Sequence, residues 1–258
     1  MTRNQASRRA SLALLAVLTL PACAVFRKEV PLSPEQTYQR GMAAYQAESY
    51  RRAATFLGQW VQAAGGDPRM PQALLALGRS HMRTREYVTA AADFLRVVTD
   101  YPTSPEQREA RFGICEAYHE LSPRPQLDQE YTEAAITYCD SYAQYYGDTP
   151  EAASARQWVG ELREKLAQKQ YENGMFYFRR GGYDASVIYF NDAATLYPDT
   201  RVAPAALLKI VEAYDRIGYA EEAAEARARL QREHPESPEA RALVAAAAPS
   251  APPSPPPP

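Results

Sequence analysis

Five residue types recur along this 258-residue chain at fixed offsets: a glycine, a tyrosine nine residues later, a small residue three further on, a large apolar residue after four more, and a proline eight beyond that. Gly78, Tyr87, Ala90, Phe94 and Pro102 make one copy, and Gly174, Tyr183, Ser186, Phe190 and Pro198 make another with one small-for-small exchange. A unit of this length is one helical hairpin. The small residues let two antiparallel helices approach, the aromatics fill the layer between them, and proline ends the second helix so that the next unit can begin. Hairpins of this kind cannot bury their apolar faces alone and must stack.

The spacing is the tetratricopeptide grid, and three weaker units run in phase with it. Gly41, Tyr50, Ala53 and Leu57 keep four positions, with the chain breaking at Gly65-Gly66-Asp67-Pro68. The last unit retains Tyr214, Gly218, Ala220, Ala223 and Pro235. A third unit from Gly113 meets Tyr131, Ala134, Tyr138 and Tyr146 once nine residues are inserted between its helices, and that insertion holds Ser122-Pro123-Arg124-Pro125-Gln126, which no helix crosses. Helix starts are marked by Ser33-Pro34-Glu35, Ser104-Pro105-Glu106, Thr149-Pro150-Glu151 and Ser237-Pro238-Glu239, each a hydroxyl cap, a proline and a carboxylate at the positive end of the helix dipole. From Tyr146 to Gly174 the chain advances 28 residues, against 11 from Pro102 to Gly113, so the fourth unit's first helix is extended, from Thr149 to about Arg179. Ala155, Trp158, Val159, Leu162 and Leu166 follow the helical period along it. The expected fold is all-α: a tetratricopeptide-like α-solenoid of about five helix-hairpin repeats over residues 33–244, with an elongated central helix.

The first 22 residues read as an export leader. Arg3, Arg8 and Arg9 form a basic start, and the apolar run Ser11 to Leu20 is too short to span a bilayer but long enough for a signal-peptide core. Leu20-Pro21-Ala22-Cys23 then resembles the lipobox of bacterial lipoproteins, with proline where a small or hydroxyl residue is usual. That resemblance implies cleavage before Cys23, a diacylglycerol on its thiol, an acyl chain on the new amine, and residues 23–32 as a lipid-anchored linker. The alternative reading of Ala22-Cys23-Ala24 is an ordinary cleavage site of a soluble secreted protein. Residue 24 is not the aspartate that holds enterobacterial lipoproteins in the inner membrane, so the expected location is the periplasmic face of the outer membrane. Residues 245–258 contain only Ala, Pro and Ser and are expected to be a disordered tail.

Catalytic signatures are missing from the sequence. His81, His119 and His234 have no ligand spacing between them, no phosphate-cradling glycine loop or nucleophile elbow occurs, and no cysteine pair is spaced for zinc. Without the leader the chain carries 26 basic against 31 acidic side chains, a net charge of −5, which disfavours nucleic acid as a partner. An enzyme, a cofactor and a metal are therefore not expected. Cys115 and Cys139 fall on the two helices of the third unit; burial as small apolar fillers is the favoured reading and a disulfide the alternative.

The block from Leu162 to Thr200, LREKLAQKQYENGMFYFRRGGYDASVIYFNDAATLYPDT, resembles the fourth-repeat segment of the BamD family, and the insertion from Ser122 to Ala135 resembles the corresponding stretch there. The order of lipobox, linker, five repeats and extended helix also agrees. The resemblance implies a non-enzymatic lipoprotein of the β-barrel assembly machinery. Such a subunit docks on the periplasmic domains of the barrel-inserting subunit BamA, alongside other assembly lipoproteins, and receives unfolded outer-membrane proteins. Tyr38, Met42, Tyr45, Arg79, Met82, Arg83 and Tyr118, on the first helices of units one to three, form the expected groove for an aromatic-rich segment ending in a carboxylate. Tyr171, Met175, Phe178 and Arg179 on the long helix form the expected partner-docking stripe. For both sets, interhelical packing is the competing reading. Two other classes share the repeats: a periplasmic scaffold coordinating cell-envelope division, which would lack the lipobox, and a pilotin-like lipoprotein for secretin or pilus assembly, which would lack the 162–200 block.

Overall fold

A computed structural model of the chain describes residues 31–247; the leader, Cys23, most of the linker and residues 248–258 of the tail lie outside the described residues. The described residues form eleven α-helices and no strands. Five hairpins follow one another: α1 (Pro34–Gln46) with α2 (Tyr50–Ala63), α3 (Met70–Thr84) with α4 (Tyr87–Asp100), α5 (Gln107–Leu121) with α6 (Glu130–Tyr146), α7 (Pro150–Phe178) with α8 (Tyr183–Leu196), and α9 (Val202–Ile217) with α10 (Ala220–Glu233). A final helix, α11 (Pro238–Ala247), packs on α9 and α10. The first helices of the hairpins touch in series, α1 to α3, α3 to α5, α5 to α7 and α7 to α9, and so make a continuous layer.

The hairpins close where a bulky side chain sits on a bare helix backbone. A Cβ placed on Gly41 would lie 2.7 Å from Leu57, one on Gly78 2.6 Å from Phe94, and one on Gly174 2.6 Å from Phe190. Leu57, Phe94 and Phe190 are all fully buried. Phe94 does this twice, since its opposite edge lies 2.6 Å from the Cβ position of Gly113 in the next hairpin.

Three of the four helix-start signals act as caps. Ser33 and Gln36 form a reciprocal capping box, Thr149 Oγ1 accepts from the Ala152 N–H at 3.2 Å, and Ser237 Oγ accepts from the Ala240 N–H at 3.1 Å. Ser104 does not cap: its carbonyl accepts the Gln107 N–H in a turn, so α5 begins only at Gln107, and its hydroxyl is buried without a partner. α7 runs over 29 residues, about 44 Å, as the spacing predicts. α11 reaches Ala247, three residues into the segment that composition assigns to the tail, because alanine is the strongest helix former.

The third hairpin departs from the sequence reading in two ways. Its second helix buries Ala135, Cys139 and Tyr142, offsets matching Ala90, Phe94 and Val97, whereas Tyr131 is exposed and Ala134 and Tyr138 are only partly buried. Gly113 to Cys139 is 26 residues against 16 from Gly78 to Phe94, so the insertion is ten residues rather than nine, and every core position moves by one. Cys115 and Cys139 are not separate fillers but a disulfide, with Cα atoms 4.7 Å apart and both residues fully buried. The reason is that register shift: it brings Cys139 to face α5 at bridging distance.

The connecting residues 122–129 are held against the long helix. Lys165 Nζ donates to Ser122 Oγ at 2.8 Å, Lys169 Nζ to the Leu127 carbonyl at 2.7 Å, and Glu172 accepts from Gln126 at 3.1 Å. These three α7 residues lie at i, i+4 and i+7 on one helix face. Within the loop, the buried Gln129 amide donates to the carbonyls of Arg124 and Leu127, both at 2.9 Å. α7 thus holds the connection that lengthens the third hairpin.

Gly174→Ala is expected to destabilise the protein by about 1–3 kcal/mol, because its methyl has no room beside Phe190. Gly160→Ala on the same helix, where a Cβ meets nothing within 4 Å, is expected to stabilise by about 0.5–1 kcal/mol. Urea denaturation of the two variants checks the opposite signs.

Candidate functional site

Two surfaces carry the residues singled out in the sequence. On the first, Tyr38, Met42, Tyr45, Met82 and Tyr118 all flank one buried cluster built around Leu57, Trp60, Leu74 and Phe94, so α1, α3 and α5 bring them to one layer. Each is half-buried, with part of its surface in the packing and part outside it. The Tyr38 ring lies 4.9 Å from Trp60, its hydroxyl donates to Gln72 Oε1 at 2.8 Å, and the Arg69 guanidinium sits 4.4 Å from its centre. Burial against these groups pushes the Tyr38 hydroxyl above the usual phenol range. Tyr118 stacks on Tyr138 at 5.1 Å and borders Tyr131, giving a row of tyrosines at the third hairpin.

The two arginines of this surface differ. Arg79 is bound by Glu109 and Glu116 of α5, so its charge is already matched by carboxylates. Arg83 is exposed, lies 5.3 Å from the Tyr50 ring, and makes no ion pair among the described residues. Of the pair, only Arg83 presents a cation able to take an incoming carboxylate.

Sequence reasoning missed Arg69, which organises the edge of this surface. It pairs with Asp67 and with Glu35, each at 2.8 Å, while lying over Tyr38 and Trp60. Its hydrogen bonds hold the Asp67 carboxyl at about 2, well below the ordinary value. The available signal is the Asp67-Pro68-Arg69 turn, whose residue types by themselves mark only the break after α2.

On the second surface the long helix divides its residues. Tyr171, Met175 and Phe178 pack against the cluster around Phe190, Leu207 and Ile210, while Arg179, at the helix end, is exposed. Lys209 and Arg216 of α9 approach the Phe178 ring at 5.4 and 6.0 Å. A cleft of about 740 Å³ is bounded by Tyr171, Met175, Phe176, Tyr177, Arg179 and Tyr189. Phe176 is 45% exposed with the Arg180 guanidinium 3.6 Å from its ring, and Tyr177 stacks on Tyr189 of α8 at 5.3 Å. The run Met175-Phe176-Tyr177-Phe178 places apolar side chains on successive sides of the helix, which was the sequence sign that one of them must face outward.

No group of three or more His, Cys, Asp or Glu side chains that could hold a metal ion is found among the described residues, and no described helix is long and apolar enough to cross a membrane. A family model described as YfiO, outer membrane lipoprotein, matches residues 31–230. The chain belongs to the YfiO family. Among YfiO relatives, the outer membrane protein assembly factor BamD of Caulobacter vibrioides is 29% identical over 164 residues, covering 64% of this chain and 54% of that protein. The match therefore spans about half the length of that relative. The BamD of Haemophilus influenzae is 24% identical over 220 residues, covering 81% of this chain and 84% of its own. Among solved structures, a tetratricopeptide protein of Thermus thermophilus is 19% identical with a TM-score of 0.34, covering 83% of this chain and 98% of that one. The TPR2AB domain of yeast Sti1 in complex with pHSP90 is 14% identical with a TM-score of 0.41, covering 83% and 84%.

The Asp67 carboxylate is favoured by the fold, so its contribution is complete above the unfolded value and is lost as pH falls from about 4 toward 2. Asp67→Asn is expected to lower the urea midpoint at neutral pH, with the difference from the parent shrinking over that acid window.

Proposed function

We propose that this YfiO-family protein is a non-enzymatic assembly subunit for outer-membrane β-barrel proteins. The carrying observation is the family match over residues 31–230, joined to relatives that are themselves named outer membrane protein assembly factors. In this reading Cys23 carries a diacylglycerol and an N-acyl chain that together tether the repeats to the periplasmic face of the outer membrane, since two or more chains give stable anchoring where one is marginal. The hairpins are binding surfaces and supply no reacting group.

The first surface suits an unfolded client. Half-buried tyrosines and methionines offer adaptable apolar contact without new cavities, and Arg83 offers a charge for a terminal carboxylate. In this reading Tyr38, Met42, Tyr45, Met82 and Tyr118 contact the client, with Arg79 as a support for the wall because its charge is taken by α5. The second surface suits a folded partner, the periplasmic part of the barrel-inserting subunit BamA. There Arg179 and the exposed aromatic Phe176 contact the partner, while Tyr171, Met175 and Phe178 hold the helix in place from behind.

Arg179→Glu is expected to reduce copurification of the barrel-inserting subunit severalfold in mild detergent, with circular dichroism unchanged. Equal recovery would remove the α7 end from the interface. Cys23→Ala is expected to abolish metabolic lipid labelling and to release the protein from the membrane fraction. Depletion of the protein, followed by profiling of the outer membrane, tests the whole reading: broad loss of β-barrel proteins is expected, and selective loss of a secretin would overturn it.

A further inference from the structure

We propose that the third hairpin is closed by oxidation: the Cys115–Cys139 disulfide replaces the side-chain-on-glycine contact that closes hairpins one, two and four, and the chain is therefore a substrate of a protein that donates disulfides. Position decides the first half. Leu57, Phe94 and Phe190 are the fully buried residues that press on the glycine of their own hairpin, and the place they hold is occupied in α6 by Cys139. A cysteine is too small to span the gap by packing. The three atoms nearest a Cβ on Gly113 all belong to Phe94 of the preceding hairpin, and none comes from α6. At that level α5 and α6 are joined instead through Cys115, two residues beyond Gly113.

The cost of closing this hairpin is also the largest of those built on the glycine pattern. Eight residues, 122–129, separate α5 from α6, whereas two, Arg85 and Glu86, separate α3 from α4, and a longer connection loses more entropy on closure. A cross-link between residues 24 apart removes much of that loss from the unfolded chain. The disulfide lies in a cluster with Tyr142, Ala143, Ala152 and Ala155, and Trp158 of the long helix packs on it. The bond therefore fixes both the register of the insertion and the seat of α7.

Forming it is a two-electron oxidation. One cysteine thiolate attacks a disulfide on the donor protein to give a mixed disulfide, and the other thiolate displaces the donor sulfur. The chain loses two protons and two electrons, and the donor leaves as a dithiol. Because Cys115 and Cys139 are fully buried in the finished hairpin, the exchange occurs before packing there is complete.

The test uses mature protein isolated from the cell envelope, unfolded directly in denaturant that contains the alkylating reagent, and cleaved after glutamate without reductant. Glu116 and Glu133 place the two cysteines on different peptides. The expected result is one cross-linked pair with neither cysteine alkylated; recovery of both as alkylated peptides overturns the proposal. A second measurement tests the closing role. Protein refolded in dithiothreitol is expected to melt roughly 6–12 °C below the oxidised form, with faster hydrogen exchange over residues 122–132. Cys115→Ala/Cys139→Ala is expected to melt like the reduced chain and to ignore dithiothreitol. Identical melting and exchange of oxidised and reduced wild-type protein would show that the bond closes nothing.

Discussion

The contact between a buried ring or isobutyl group and a bare helix backbone governs the rest of this structure. Gly41 with Leu57, Gly78 with Phe94 and Gly174 with Phe190 bring helices close enough that any side chain at the glycine would collide. That closeness lets small residues such as Ala53, Ala90 and Ser186 be wholly buried, and it presses the hairpins into a layered stack. Phe94 reaches across to Gly113 as well, so one ring links two successive hairpins. Solenoid stability resides in such nearest-neighbour contacts as much as in the units themselves.

Departures from the grid are concentrated in the middle of the chain and compensate one another there. Lys165, Lys169 and Glu172 on α7, at and just past the level where a first helix of ordinary length would begin, bind Ser122, Leu127 and Gln126. Lys165 is half-buried in doing so, and the loss of water lowers its ammonium below the usual lysine range. His119, on the same hairpin, stacks on Trp158 of α7 at 4.6 Å, and burial lowers its value too. On the third hairpin, charge is thus drawn into the packing where α7 covers it.

Much of this was legible in the sequence, because glycine, proline and hydroxyl caps act locally. The hairpin count, the break after α2, the 29-residue helix and three of four caps follow from residue types at fixed spacing. Ser104 failed because a cap depends on the turn that precedes it, and residues 102–106 turn back on themselves before α5 begins. The third hairpin's register failed for a different reason: Tyr131, Ala134 and Tyr138 imitate the pattern one residue out of phase, and only tertiary contact distinguishes them from Thr132, Ala135 and Cys139. Candidate site residues were legible as a set of faces but not as individual roles. Periodicity placed Tyr38, Met42 and Tyr45 on one layer, yet it could not show that Glu109 and Glu116 claim Arg79 while Arg83 stays unpaired. Nor could it separate the inward, half-buried Met175 and Phe178 from the outward Phe176 in a run where every residue is apolar.

The half-repeat α11 is the last helix of the stack among the described residues. Ala240 and Leu243 lie against the cluster that contains Ile210, Ala226 and Leu230, where a sixth hairpin would otherwise sit. Because the units are alike, an open flank at that position would be a template for the first hairpin of another molecule, and copies could join head to tail into a filament. Among the described residues α11 is a single helix, so it covers that flank of α9 and α10 without presenting another paired one. A lone helix laid over the last hairpin thus withholds the edge on which a self-complementary architecture would otherwise extend.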